Sequence, residues 1–313
     1  MNSRRTWPYA AVIVLLLGAC GNYSNDDLDF QLALPEQTDM EAQMHLSVTR
    51  VDSAEYYRAT RSAITTFNGM VGQLVGLVDL VRGTTPTSRN GAERIWGPWP
   101  VDKYPGWELR LVMQRSTVST SLLHMDYRLQ LRPVGAGDSA WVSFLVGQYT
   151  SGGSARTGQG DIYLRASDAR AAGYPVNDDA GLANLDYLHV TYDNATFPVR
   201  VTMDIVNLPT AKTQSGHYEY FQNQDGSGQM RFDWQGLSDS GAQVSATMQA
   251  EWIGSGAGRA DLTAVLSADQ PSVVTTLGTE CWGVDSVATY RYRLRDDVTL
   301  LEVATGERAS CLF

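Results

Sequence analysis

Any chemistry in this 313-residue chain would have to come from its three cysteines, its four histidines, or serines and carboxylates set among glycines. The cysteines are Cys20, Cys281 and Cys311. His45, His124, His189 and His217 lie in no H-E-x-x-H or His/Cys cluster, the spacing a zinc ion needs. Each reads as an isolated surface histidine, with Glu219 on the same strand face as His217. Ser154, Ser227 and Ser255 sit near glycines but in no G-x-S-x-G, and in apparent hairpin turns rather than a strand-to-helix elbow. Gly158-Gln159-Gly160 and the Gly254–Gly258 run lack a following helix whose N-terminus could hold phosphate. The Asn223–Gly228 loop has calcium-loop residues, but Trp234 stands where the bidentate Glu belongs. Asn177, Asp178 and Asp179 read as an exposed acidic loop rather than a calcium site. The chain is therefore expected to be no enzyme and to hold no metal or cofactor.

The N-terminus carries an address instead. Arg4 and Arg5 precede an apolar run from Trp7 to Leu17, followed by Gly18 and Ala19. A basic start, a short apolar stretch and small residues at a cut site make a secretory signal. The run is too short to span a bilayer, which needs about 20 apolar residues. Residues 1–19 are expected to be removed. Leu17-Gly18-Ala19-Cys20 resembles, residue by residue, the lipobox of bacterial lipoproteins. That resemblance covers only the first 20 residues. It implies a thioether-linked diacylglycerol and an N-acyl chain, such as palmitate, on Cys20. Each buried methylene contributes roughly 0.8 kcal/mol, so two or more chains anchor stably. Gly21 rather than Asp follows the cysteine, which in enterobacterial lipoproteins implies the outer membrane, on either face. An ordinary signal peptide with a nearby cysteine is the alternative.

If Cys20 carries lipid, Cys281 and Cys311 remain. In an exported chain two cysteines read as one disulfide, with two free thiols as the alternative. The bridge would close a separation of 311 − 281 = 30 residues. A loop of that size is stabilised by about 3–4 kcal/mol on the chain-entropy estimate.

The mature chain has 313 − 19 = 294 residues, ample for a core. With 24 basic and 34 acidic residues the net charge is −10, and loss of Arg4 and Arg5 takes it to −12. An acidic chain with no basic run is a poor partner for nucleic acid or an anionic leaflet. The lipid would be the membrane contact.

These residues need elements to hold them. Residues 20–50 read as a lipidated tether, with Gly21 to Leu34, including Asp26, Asp27 and Asp29, leading away from the membrane. Residues 51–313 read as one domain. It begins with a helix from Asp52 to Arg82, capped by Asp52 with Glu55 and stapled by Val51 and Tyr56. Tyr57, Ile64, Phe67, Val71, Leu74, Val78 and Val81 form its apolar face, and Gly83 its stop. Gly69, Gly72 and Gly76 inside it imply close approach of another element. Beyond Gly91 the period becomes two. Leu123, Met125, Tyr127, Leu129 and Leu131 share one face, as do Val199, Val201, Met203 and Ile205. This predicts antiparallel strands with one buried face, about ten to twelve in number, joined by Gly- and Asn-rich turns. A short helix over Ala166–Gly173 crosses one end, and Trp96, Trp99 and Trp107 plug an end ahead of the first strand.

The economical assembly is mainly β: an up-and-down barrel or half-barrel with the long helix on its concave side. In architecture only, this is similar to the open barrels of lipoprotein-sorting carriers and receptors. The Ile95-Trp96-Gly97-Pro98-Trp99 stretch resembles a segment of lipoproteins from myxobacteria and relatives, which implies no activity. Two functional expectations follow. One is a lipid-anchored envelope protein with a structural or partner-binding role. The other is a carrier of an apolar, lipid-like ligand in the concave side. An open apolar cavity of at least about 300 Å³ separates the second from the first.

Overall fold

A computed structural model describes residues 25–44, 52–117, 122–152, 157–178, 182–239, 241–267, 273–296 and 301–311. Cys20, the expected signal, His45, Val51, Ser154 and Asp179 lie outside the described residues. Two short helices, α1 (Asn25–Leu32) and α2 (Gln37–Met40), precede the long α3 (Glu55–Val78). Then come β1 (Ser88–Asn90), β2 (Glu93–Val101), β3 (Tyr104–Thr117), β4 (Leu123–Pro133), β5 (Val142–Ser151) and β6 (Gly158–Arg165). The expected short helix is α4 (Ala166–Ala171). Nine strands follow: β7 (Leu185–Asp193), β8 (Val199–Asn207), β9 (Thr213–Gln222), β10 (Gly228–Leu237), β11 (Gln243–Trp252), β12 (Gly258–Ser267), β13 (Val273–Trp282), β14 (Ala288–Asp296) and β15 (Leu301–Gly306).

The strands form one antiparallel sheet in sequence order, β1 to β15, and its two edge strands do not pair with each other. The sheet is open. Its count exceeds the expected ten to twelve partly because β1, β2 and β3 precede Leu123, where clear alternation begins. Fifteen strands at about 4.8 Å would make a flat sheet about 67 Å wide, while α3, with 24 residues, is about 36 Å long. Yet side chains from β2 to β13 share one core cluster with α3. The sheet must therefore curl round the helix, and does so as a half-barrel. Because connections alternate, turns after odd-numbered strands lie at one rim, here the lower, and turns after even-numbered strands at the upper.

The expected helical face is the buried one: Tyr57, Phe67, Val71 and Val78 are fully buried, and Ile64, Leu74 and Val81 nearly so. The ends differ from expectation. Helix α3 starts at Glu55, its N-cap position is Ala54, and no side chain of that residue caps it. Asp52 is exposed. The first-turn amide of Tyr56 donates instead to the carboxylate of Glu280 on β13. Arg291 on β14 donates to the same carboxylate, Nε at 2.7 Å. A distant buried anion thus meets the positive end of the helix. At its other end α3 tightens into a 3-10 turn, Asp79–Val81, and Gly83 follows at φ +76°. Gly69 and Gly76 face open space, contrary to the close approach expected; only Gly72 has a near neighbour, the flexible Gln37 side chain.

Residues 25–44 of the segment read as a tether are built into the body. Asp27 is fully buried between Arg94 (2.8 Å) and Arg89 (3.0 Å), and Asp26 pairs with Arg94 and Arg115. Phe30 lies beneath the guanidinium groups of Arg94 and Arg115. The acidic run is therefore a clamp onto β1, β2 and β3. Trp96 and Trp99 belong to β2 and Trp107 to β3, not to a pre-strand loop. Trp96 is buried and donates to the Thr84 carbonyl, while Trp107 packs edge-on against Tyr174 beyond α4. Cys281 and Cys311 are disulfide-bonded with Cα atoms 5.5 Å apart, tying the chain end to β13.

Candidate functional site: an apolar trough beside the long helix

Inward residues of the upper half of β8 to β12 are less buried than those below them. Met203, Tyr220, Met230, Ala250 and Trp252 are buried, whereas Ile205, Phe232, Trp234, Ala246 and Leu262 are only half-buried. All ten point to the concave side, because residues two apart share a face. Nothing covers the second group fully: Phe232, Trp234, Ala246 and Leu262 face small side chains of α3, and Ile205 borders open space beside Met70 and Leu74. Ala59, Ser62, Ala63 and Thr66 lie along the flank of α3 and leave room where larger residues would close it.

The space is a trough of about 660 Å³ between α3 and the strands β6 to β10. Met70, Leu74 and Leu77 of the helix face Leu164, Leu185, Leu188, Ile205, Tyr218 and Trp234 across it. Thr66, Gln73, Asn207 and Thr213 are its polar fringe. Past Thr66, Tyr218 and Trp234 it continues as a shallower groove of about 500 Å³, floored by Phe232, Ala246, Met248 and Leu262. No charged side chain lines either portion. Burial pushes the Tyr218 phenol up to about 12, so it stays neutral at physiological pH. Trp234 Nε1 donates to Thr213 Oγ1 at 3.3 Å. Such a site desolvates an uncharged apolar molecule and offers a few polar contacts at its mouth.

Leu185 opens β7, Asn207 ends β8 and Thr213 opens β9, so the mouth is at the upper rim. The lower side of α3 is closed. Asn68 holds the Ala42 amide (2.8 Å) and carbonyl (2.9 Å), and Tyr220 Oη accepts from the Gln43 amide at 2.7 Å.

The convex face is polar. His217 Nδ1 lies 2.6 Å from Asp204, with Nε2 3.4 Å from Glu219. His189 lies 3.8 Å from Asp161, and His124 3.3 Å from Asp126. These histidines are thus not isolated, as sequence spacing implied; adjacent positions and neighbouring strands supply each with a carboxylate. Among the described residues no three metal-binding side chains gather. A convex groove of about 530 Å³ runs past Gln148, Asp161, Thr191, Asp193, Arg200 and Thr202. Ser227 bonds Asp225 within its own turn, and Asn177 accepts from Arg170. Neither joins a larger constellation.

The trough was not legible as a site in the sequence. The one signal, for the adjoining groove, is the small-residue run Ala59, Ser62 and Ala63 on α3. Comparison of the chain with protein families, with curated proteins and with solved structures found no match.

Proposed function

We propose that this protein is a non-enzymatic, lipid-anchored protein of the bacterial envelope that carries an uncharged, lipid-like ligand in the trough beside α3. The observation that carries the reading is the unfilled apolar volume of about 660 Å³. A purely structural helix-in-sheet body gains by closing such a space, because each buried side chain of Leu size contributes about 1.5–3 kcal/mol. Here the space stays open although Met70, Leu74 and Leu77 of α3 line it, and beyond Thr66 the small Ala59, Ser62 and Ala63 leave the adjoining groove open as well. The absence of charge along its walls favours a neutral apolar moiety over a free anion, since an unpaired charge is costly to desolvate. This favours the carrier over the structural or partner-binding reading. Cys20 supplies the anchor, placing the protein at the outer membrane.

Native mass spectrometry of the protein released gently from membranes tests the carrier. The expected spectrum contains a non-covalent lipid adduct that Thr66→Trp removes. A bare protein mass from several mild preparations refutes it. The anchor has its own test. Cys20→Ser is expected to abolish incorporation of radioactive palmitate, and retained label contradicts it.

A further inference from the structure

Seven large apolar side chains are exposed among the described residues, and five gather at one rim. Phe197, Ile253 and Val284 sit in the turns after β7, β11 and β13, 55%, 37% and 59% exposed. Leu28 and Leu32 project from α1, 43% and 39% exposed. That helix is clamped to the same rim, because Asp26 pairs with Arg94 at the start of β2 and Arg115 at the end of β3. Of the other two, Val134 is at the upper rim and Leu277 lies within β13. Turn tips are ordinarily given to Gly, Asn, Asp and Ser, so five apolar side chains gathered at one rim set that rim apart from the other.

Chain length places that rim near the membrane. Asn25, where α1 begins, follows Cys20 by five residues. Five residues reach at most about 18 Å. Acyl chains on Cys20 would therefore keep α1, and the rim it is clamped to, within about 18 Å of the bilayer.

We propose that the lower rim is a membrane-docking surface whose apolar tips enter the interfacial zone of a zwitterionic phospholipid bilayer. The inference rests on the lipidation of Cys20 stated above. Scattered single apolar tips suit shallow insertion among headgroups better than a protein pocket, which takes a contiguous patch. Asp225 and Asp285 in the same row of turns disfavour an anionic leaflet. One consequence concerns the trough. Its mouth is at the upper rim and so faces away from the bilayer, and ligand enters from the aqueous side.

The test uses the full lipidated chain in phosphatidylcholine vesicles. Phe197→Cys and, as control, Val134→Cys each introduce one free thiol, which is labelled with bimane. Brominated phosphatidylcholine is expected to quench the label at 197 severalfold more than the label at 134. Equal quenching at the two positions overturns the proposal. Palmitate incorporation is measured on the same preparations. A palmitate-labelled chain with equal quenching refutes docking alone, whereas a chain without palmitate refutes the anchor and docking together.

Discussion

Glu280 is the point at which helix and sheet depend on each other. Its side chain is fully buried and takes the Tyr56 amide and the Arg291 guanidinium, itself one-third exposed. Glu280→Gln keeps the volume but removes the charge that both donors face. Breaking a buried pair from one side costs about 3–5 kcal/mol, and the partial exposure of Arg291 argues for the lower figure. Loss of the anion at a helix N-terminus accounts for up to about 2 kcal/mol of that. At roughly 2–4 °C per kcal/mol for a chain of this size, Tm should fall by about 6–12 °C in scanning calorimetry. Glu55→Gln, which removes only the exposed pair with Arg293, should cost less than about 1 kcal/mol. A Glu280→Gln variant that melts within about 2 °C of the parent refutes the claim that this carboxylate caps α3.

Three further outcomes follow from the geometry. Gly76→Ala, exposed on α3 with nothing near its Cβ position, should raise the urea midpoint by about 0.5–1 kcal/mol in stability, whereas Gly278→Ala, whose Cβ would strike Tyr56 Oη, should lower it. Reducing Cys281–Cys311 should destabilise by about 3–4 kcal/mol, read as a lower Tm in dithiothreitol that a Cys281→Ala, Cys311→Ala chain reproduces without reductant. His217 is pushed down by burial, but its hydrogen bonds to Asp204 and Glu219 and their charges outweigh that and leave it above 6.5. Its contribution to stability is therefore full below pH 6.5 and fades as pH rises through the folded value; NMR titration should show Asp204→Asn lowering that value.

The parts of this fold that repeat were legible in the sequence. The α3 stripe and the strand alternation follow from periods of 3.6 and two, and the buried residues match them. Strands β9 to β14 begin at Thr213, Gly228, Gln243, Gly258, Val273 and Ala288, one every 15 residues. Few side chains recur with that pitch, Gly228 and Gly258 opposite Trp252 and Trp282 being an exception, so the regularity lies mainly in strand and turn length. What was missed depends on distant partners. Asp26 and Asp27 look like solvated tether residues until Arg89, Arg94 and Arg115 are placed beside them. Asp52 looks like a cap because Glu280, more than 200 residues away, is invisible from its neighbourhood. The trough was hidden for a related reason. Leu188 and Ile205 have equivalent patterns in the sequence, yet Leu188 is buried and Ile205 only half-buried, a difference set by neighbours distant in the chain.

The most direct measurement of the central claim is titration with 1-N-phenylnaphthylamine, an uncharged apolar probe that fluoresces out of water, after ligand is stripped. The parent chain should bind it saturably, and Ala63→Trp with Thr66→Trp, placed on the trough wall, should abolish binding while far-UV circular dichroism and Tm hold. Equal binding by parent and filled variant, or none by the stripped parent, contradicts the assignment of the trough as a ligand site.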